Sequence, residues 1–125
     1  MRDFRKYRIW QDAVSIANKI YSVTELFPSN ELYGLSSQLQ RAAVSIASNI
    51  AEGASRDSSV EFAHFLEIAI GSAFEAETQL IIAYQRNYIS LETFQNVVSL
   101  LQEEEKGINT FIQTLKPTAK SQQPT

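Results

Sequence analysis

The chain has no cysteine, one histidine, one methionine, three prolines and four glycines among its 125 residues. Each shortage excludes something. Without cysteine there are no disulfides, no thiolate nucleophiles and no thiolate metal sites. The single histidine, His64, has no strand-turn-helix serine elbow to serve, and no Gly-rich phosphate loop occurs. No apolar run reaches the ~20 residues of a membrane-spanning helix. The basic start MRDFRKYRIW lacks the apolar stretch and small-residue cleavage site of a signal peptide, so a cytoplasmic protein without membrane association is expected.

The few breakers that exist sit where helices should end. Pro28 and Gly34 fall in FPSNELYGL, Gly53 opens EGASRDSS, Asn87 separates QR from YIS, and Pro117 starts the polar tail PTAKSQQPT. The spacing predicts helices over about 8–27, 33–53, 58–87 and 90–116, with no sustained period-2 alternation to support a strand. Ser58 followed by Glu61 reads as a capping box, and Ser90 before LETF as a second N-cap. Gly53 is placed to take the left-handed conformation that closes the second helix. An all-α, antiparallel up-down-up-down bundle is expected, as one domain over 1–116 with a disordered tail over 117–125.

Helix 1 shows a stripe of Trp10, Ala13, Val14, Ala17, Ile20, Tyr21, Thr24 and Phe27. Helix 4 repeats the pattern with Phe94, Val97, Val98, Leu101, Ile108, Phe111, Ile112 and Leu115. The third helix, about 45 Å long, carries two stripes. One holds Phe62, Phe65, Leu66, Ala69, Ala73, Ala76, Leu80, Ala83 and Tyr84; the other holds Ala63, Ile70, Phe74, Ile81 and Tyr88. Either the two merge into one broad face filling a thick core, or the second packs on another copy of the chain. Polar residues also align: Arg41, Ser45, Ser48 and Glu52 on helix 2, with Glu61, Ser72, Glu75, Gln79 and Arg86 on helix 3. Asn49 sits at the margin of the core stripe. This is either a tight, partly polar helix–helix or subunit contact or a plain solvent-facing strip.

Net charge is −3 with a pI near 5.1. Arg2, Arg5, Lys6 and Arg8 crowd the start of the chain, whereas Glu103, Glu104 and Glu105 mark the acidic extreme; each group reads as a solvated end or face. Glu61 and His64 stand at the Glu-x-x-His spacing of di-iron bundles, but that site needs the motif twice plus further carboxylates. With one histidine, a complete site within one chain is impossible. No catalytic residue, metal or cofactor is expected, and the protein is read as a non-enzyme.

The strings YGLSSQLQRAAVSIASNIAEG and SSVEFAHFLEIAIGSAFEAETQL, with YIS after them and IWQDAVSIANKIYSVTELFP before, resemble the bacterial four-helix-bundle family of 23S rRNA intervening-sequence proteins over about residues 9–116. Members of that family are similar to the accessory variability determinant protein of diversity-generating retroelements, a pentameric barrel that binds nucleic acid through a basic surface and partners a reverse transcriptase. The resemblance implies a homopentamer in which Arg41, Asn49, Glu52, Glu75 and Gln79 are assembly positions, and with it Ile70, Phe74 and Ile81 gain a partner surface. It also implies a nucleic-acid-binding alternative, RNA or DNA, with a protein partner, for which the basic cluster Arg2, Arg5, Lys6 and Arg8 supplies the expected contact residues. The acidic chain departs from the basic relative in the property that phosphate contacts require.

Overall fold

Serine hydroxyls begin two of the helices, as the capping pattern implies. Ser58 Oγ accepts the Glu61 N–H at 3.1 Å, and Ser90 Oγ accepts the Thr93 N–H at 3.1 Å. Each satisfies one of the backbone donors that a helix start leaves without an intrahelical acceptor. The computed structural model describes residues 2–116, so the expected disordered tail lies outside the described residues. Among those residues are four α-helices and no strand: α1 (Arg8–Thr24), α2 (Leu35–Ala54), α3 (Ser59–Gln85) and α4 (Leu91–Thr114). Short 3-10 turns over Phe4–Lys6 and Ser29–Glu31 precede α1 and α2.

The other helix ends use different chemistry. α3 closes in a Schellman motif. Asn87 takes φ 64°, the Tyr88 N–H reaches the Ala83 carbonyl at 2.9 Å, and the Asn87 N–H reaches the Tyr84 carbonyl at 2.9 Å. α2 has Gly34 at its N-cap and no capping side chain of its own. Glu31 substitutes: its Oε1 accepts the Leu35 N–H at 3.1 Å while Oε2 accepts the Tyr88 hydroxyl at 2.8 Å. These bonds, the backbone one foremost, hold the Glu31 carboxyl below the usual carboxylate range.

The expectation for Gly53 is overturned. It lies inside α2, which runs on to Ala54, and no described glycine has a positive φ. Gly53 is required by proximity instead. A Cβ there would stand 2.8 Å from Phe65 Cβ and 2.9 Å from Phe62 Cδ1, so the missing side chain lets α3 cross α2 at close range.

The helices pack α1 on α2, α2 on α3, α3 on α4 and α4 back on α1, a four-cornered bundle in which α2 and α3 form the closest pair. Ala42, Ala43 and Ile46 of α2 and Ala69, Ala73 and Ala76 of α3 are buried in one core with Phe62, Leu66, Leu80, Leu101 and Ile108. Small residues allow the two backbones to approach. The core face of α1 differs from the expected stripe: Ile9, Ala13, Ile16, Ile20, Val23 and Thr24 are buried, whereas Trp10, Val14 and Ala17 are half-buried and Tyr21 is exposed. The apolar arc of α1 is wider than one face, and the expected stripe straddles its outer part.

Candidate functional site

Where α2 meets α3, the aligned polar residues form a ladder. Asn49 Nδ2 donates to the Ser45 carbonyl at 2.8 Å and to Ser45 Oγ at 2.9 Å, and Ser45 Oγ bonds Ser72 Oγ at 2.8 Å. The Ser45–Ser72 bond crosses between the two helices, and Asn49 holds Ser45 in place for it. Glu52 turns to Arg56, at 3.1 Å, and Arg56 lies over the Phe65 ring. Gln79 is buried with its Oε1 lacking a hydrogen-bond partner, while Arg41 and Glu75 are exposed. His64 is exposed, with its ring edge on Phe65. Among the described residues no three His, Asp or Glu side chains come together in a way that could hold a metal.

The N-terminal arm is folded onto the bundle. Arg2 donates to the Arg56 carbonyl and lies over the Phe62 ring. Arg5 pairs with Asp3 at 3.3 Å and Arg8 with Asp12 at 3.2 Å. Of the four expected phosphate-binding cations, Lys6 alone has no ion-pair or cation–π partner among the described residues.

Among the described residues, two of the exposed apolar surfaces are extended enough to form faces. On α3, Phe74 is 57% exposed and Ile81 42%, with Ile70 half-buried beside them. The broad-core alternative therefore fails for Phe74 and Ile81. They sit on the same flank as Glu77, at i−3 and i+4 to it, and Glu77 meets Glu105 of α4. This flank therefore looks out over α3 and α4. The second face is a groove of about 440 Å³ between α1 and α2, lined chiefly by Phe4, Trp10, Val14, Ala17, Val44 and Ala47. In it Trp10 meets Phe4 edge-on, with centroids 5.1 Å apart. Because α1–α2 and α3–α4 are opposite sides of the bundle, the two apolar faces point away from each other.

The acidic run on α4 corrects the expectation of a solvated face. Glu104 is 3% exposed and Glu105 half-buried. Positions 104 and 105 complete the stripe between Leu101 and Ile108, at i+3 and i+4, so the helix carries them inward. Glu104 enters the α1–α4 seam, where burial first and the Asp12 charge second push its carboxyl up to about 8. Glu105 enters the α3–α4 seam, where burial, then the hydrogen bond and charge of Glu77, raise it to about 8 as well. Glu77 Oε1, Glu104 Oε2 and Glu105 Oε2 are buried without hydrogen-bond partners. Near neutral pH both α4 carboxyls keep their protons, since ionisation in these seams would leave an uncompensated charge out of water.

The architecture and the sequence agree with one description. The family model for the 23S rRNA-intervening sequence protein matches residues 5–110. The chain belongs to this family. A crystal structure from Bacteroides thetaiotaomicron VPI-5482, of a protein with unknown function from the S23 ribosomal protein family, shares the fold: TM-score 0.75, with 24% identity, covering 83% of this chain and 97% of that one. No curated protein matches the sequence. The family match reaches into all four helices and covers the Phe74–Ile81 flank and all of the groove lining but Phe4.

Proposed function

We propose that this member of the intervening-sequence family is a non-enzymatic building block that assembles with copies of itself. The observation that carries the reading is the exposed Phe74–Ile81 flank of α3, an apolar strip on a helix whose other apolar stripe already fills the core. Exposed apolar surface of this kind marks an interaction site in a soluble protein. The perturbed carboxyls also favour a structural role, because their unpartnered oxygens are sealed between helices rather than turned to a substrate. The assembly is a pentamer, the number that the family resemblance implies.

Light scattering coupled to size exclusion tests this directly. At micromolar concentration the wild-type chain is expected to run at a multiple of its 14.1 kDa mass, five-fold for the pentamer. Phe74→Glu and Ile81→Glu should each give a folded monomer, while Tyr33→Ser, in the exposed α1–α2 connection, should keep the wild-type mass. A monomeric wild-type protein overturns the reading. For nucleic acid, the arm leaves little free positive charge per copy, so no mobility shift is expected even at ~50 mM salt, where phosphate contacts are strongest.

A further inference from the structure

The two uncovered faces differ in shape. The α3–α4 flank projects side chains outward, with Phe74 foremost, whereas the α1–α2 face is concave, with alanines 17, 47 and 51 in its lining. A projecting face cannot match itself as well as it matches a groove. The geometry points to head-to-tail association, in which the Phe74–Ile81 flank of one copy seats in the α1–α2 groove of the next. This rests on the self-association proposed above and specifies which surfaces meet.

Charge supports the same pairing. The projecting flank carries the acid Glu77 one helical turn from Phe74, with the protonated Glu105 facing it from α4. No carboxylate lines the groove or the adjoining concavity of about 520 Å³, which shares Tyr21, Val44 and Ser48 with it; their polar lining is Asn18, Ser37, Gln40, Arg41, Ser45 and Ser48. Arg41 is exposed and has no ion-pair partner among the described residues. Back-to-back contact of two projecting flanks would instead bring the two Glu77 side chains together, acid against acid and further desolvated. Groove on groove would leave both concavities unfilled. Seating the 57%-exposed Phe74 ring in the groove would cover its free face, and a heterologous contact closes into a ring when the rotation between copies allows it.

A heterologous contact has a signature that a two-fold one lacks. Each copy carries one of each surface, so spoiling either surface should abolish self-association, and two differently spoiled chains should still make one good contact. Val44 and Phe74 are both exposed, so Val44→Glu and Phe74→Glu are expected to retain wild-type helicity by circular dichroism. Ala47→Glu with Ile81→Glu serves as a second pair should either of the first fail to fold. Each variant alone should run as a monomer at ~100 μM, and an equimolar mixture should run at twice the monomer mass, the occupancy expected for a contact tighter than that concentration. If the Phe74→Glu chain is monomeric but the Val44→Glu chain keeps the wild-type mass, or if the mixture stays monomeric while the wild type assembles, docking of the flank in this groove is overturned and self-association survives. A monomeric wild type overturns both.

Discussion

A methyl group added at Gly53 and one added at Gly71 should have opposite effects, although both glycines lie inside helices. At Gly71 nothing stands within 4 Å of the new Cβ, so Gly71→Ala should stabilise the monomeric fold by about 1 kcal/mol through helix propensity. At Gly53 the same propensity gain meets Phe62 and Phe65 at under 3 Å, and forcing α2 from α3 should cost about 1–3 kcal/mol. Urea unfolding of both variants, in a Phe74→Glu background to hold the monomer, reads the sign at each site. The position of Gly53 before a serine cluster suggested a helix end, and nothing local to it distinguishes an end from a crossing; the distinction depends on which α3 side chains arrive there. Asn87 was legible as a break because its side chain tolerates the left-handed region better than most. Glu31 as the cap of α2 was not, since its partners Leu35 and Tyr88 come together only in the folded chain.

At the scale of an element, α4 is the helix with a conflict in it. Its apolar stripe is interrupted by Glu104 and Glu105, whose folded carboxyls titrate near 8 against 4.5 for a free side chain. The folded state therefore holds protons that the unfolded chain gives up between those values. The sign follows: this contribution to stability is fully present below about pH 4.5 and is lost as pH rises through about 8. Thermal unfolding should show a higher Tm near pH 6 than near pH 9, and Glu104→Gln should flatten the difference. Glu104→Leu should raise stability by roughly 1–3 kcal/mol at pH 8, because it replaces a buried group lacking a partner with one that needs none. The four helices and their ends within three residues were readable from breakers and periodicity. The inward turn of the two glutamates was also written in the spacing from Leu101 to Ile108, but three consecutive acids outweighed it as a sign of solvent. The width of the apolar arc on α1 hid which part faces the core, since Ile9, Ile16 and Val23 share the helix with Trp10, Val14 and Tyr21.

For the whole molecule, the expected second stripe of α3 is there as exposed surface, and α1–α2 adds a groove that sequence periodicity could not show, because a groove belongs to two helices at once. The arm was legible as a basic cluster but not as a folded one; its partners Asp3, Asp12, Phe62 and the Arg56 carbonyl come from three parts of the chain. Those partners, with the Tyr88–Glu31 bond at the far end, fasten α1, α2 and α3 to one another and to their connecting turns. α4 is tied by rings, Phe111 on Tyr7 and Phe62 and Phe94 on Tyr84, but its least extensive contact is with α1, and beyond its end Lys116 reaches Glu67 in an exposed pair worth ~1 kcal/mol or less. Hydrogen exchange should accordingly find the amides of Val97–Ile108 opening before those of α2 and α3, with the gap widening as pH rises toward 9, once rates are corrected for intrinsic base catalysis. An alkaline medium would then peel one stave from the barrel and leave a trough of alanine and leucine open along the other three, a shape the intact molecule never shows to its surroundings.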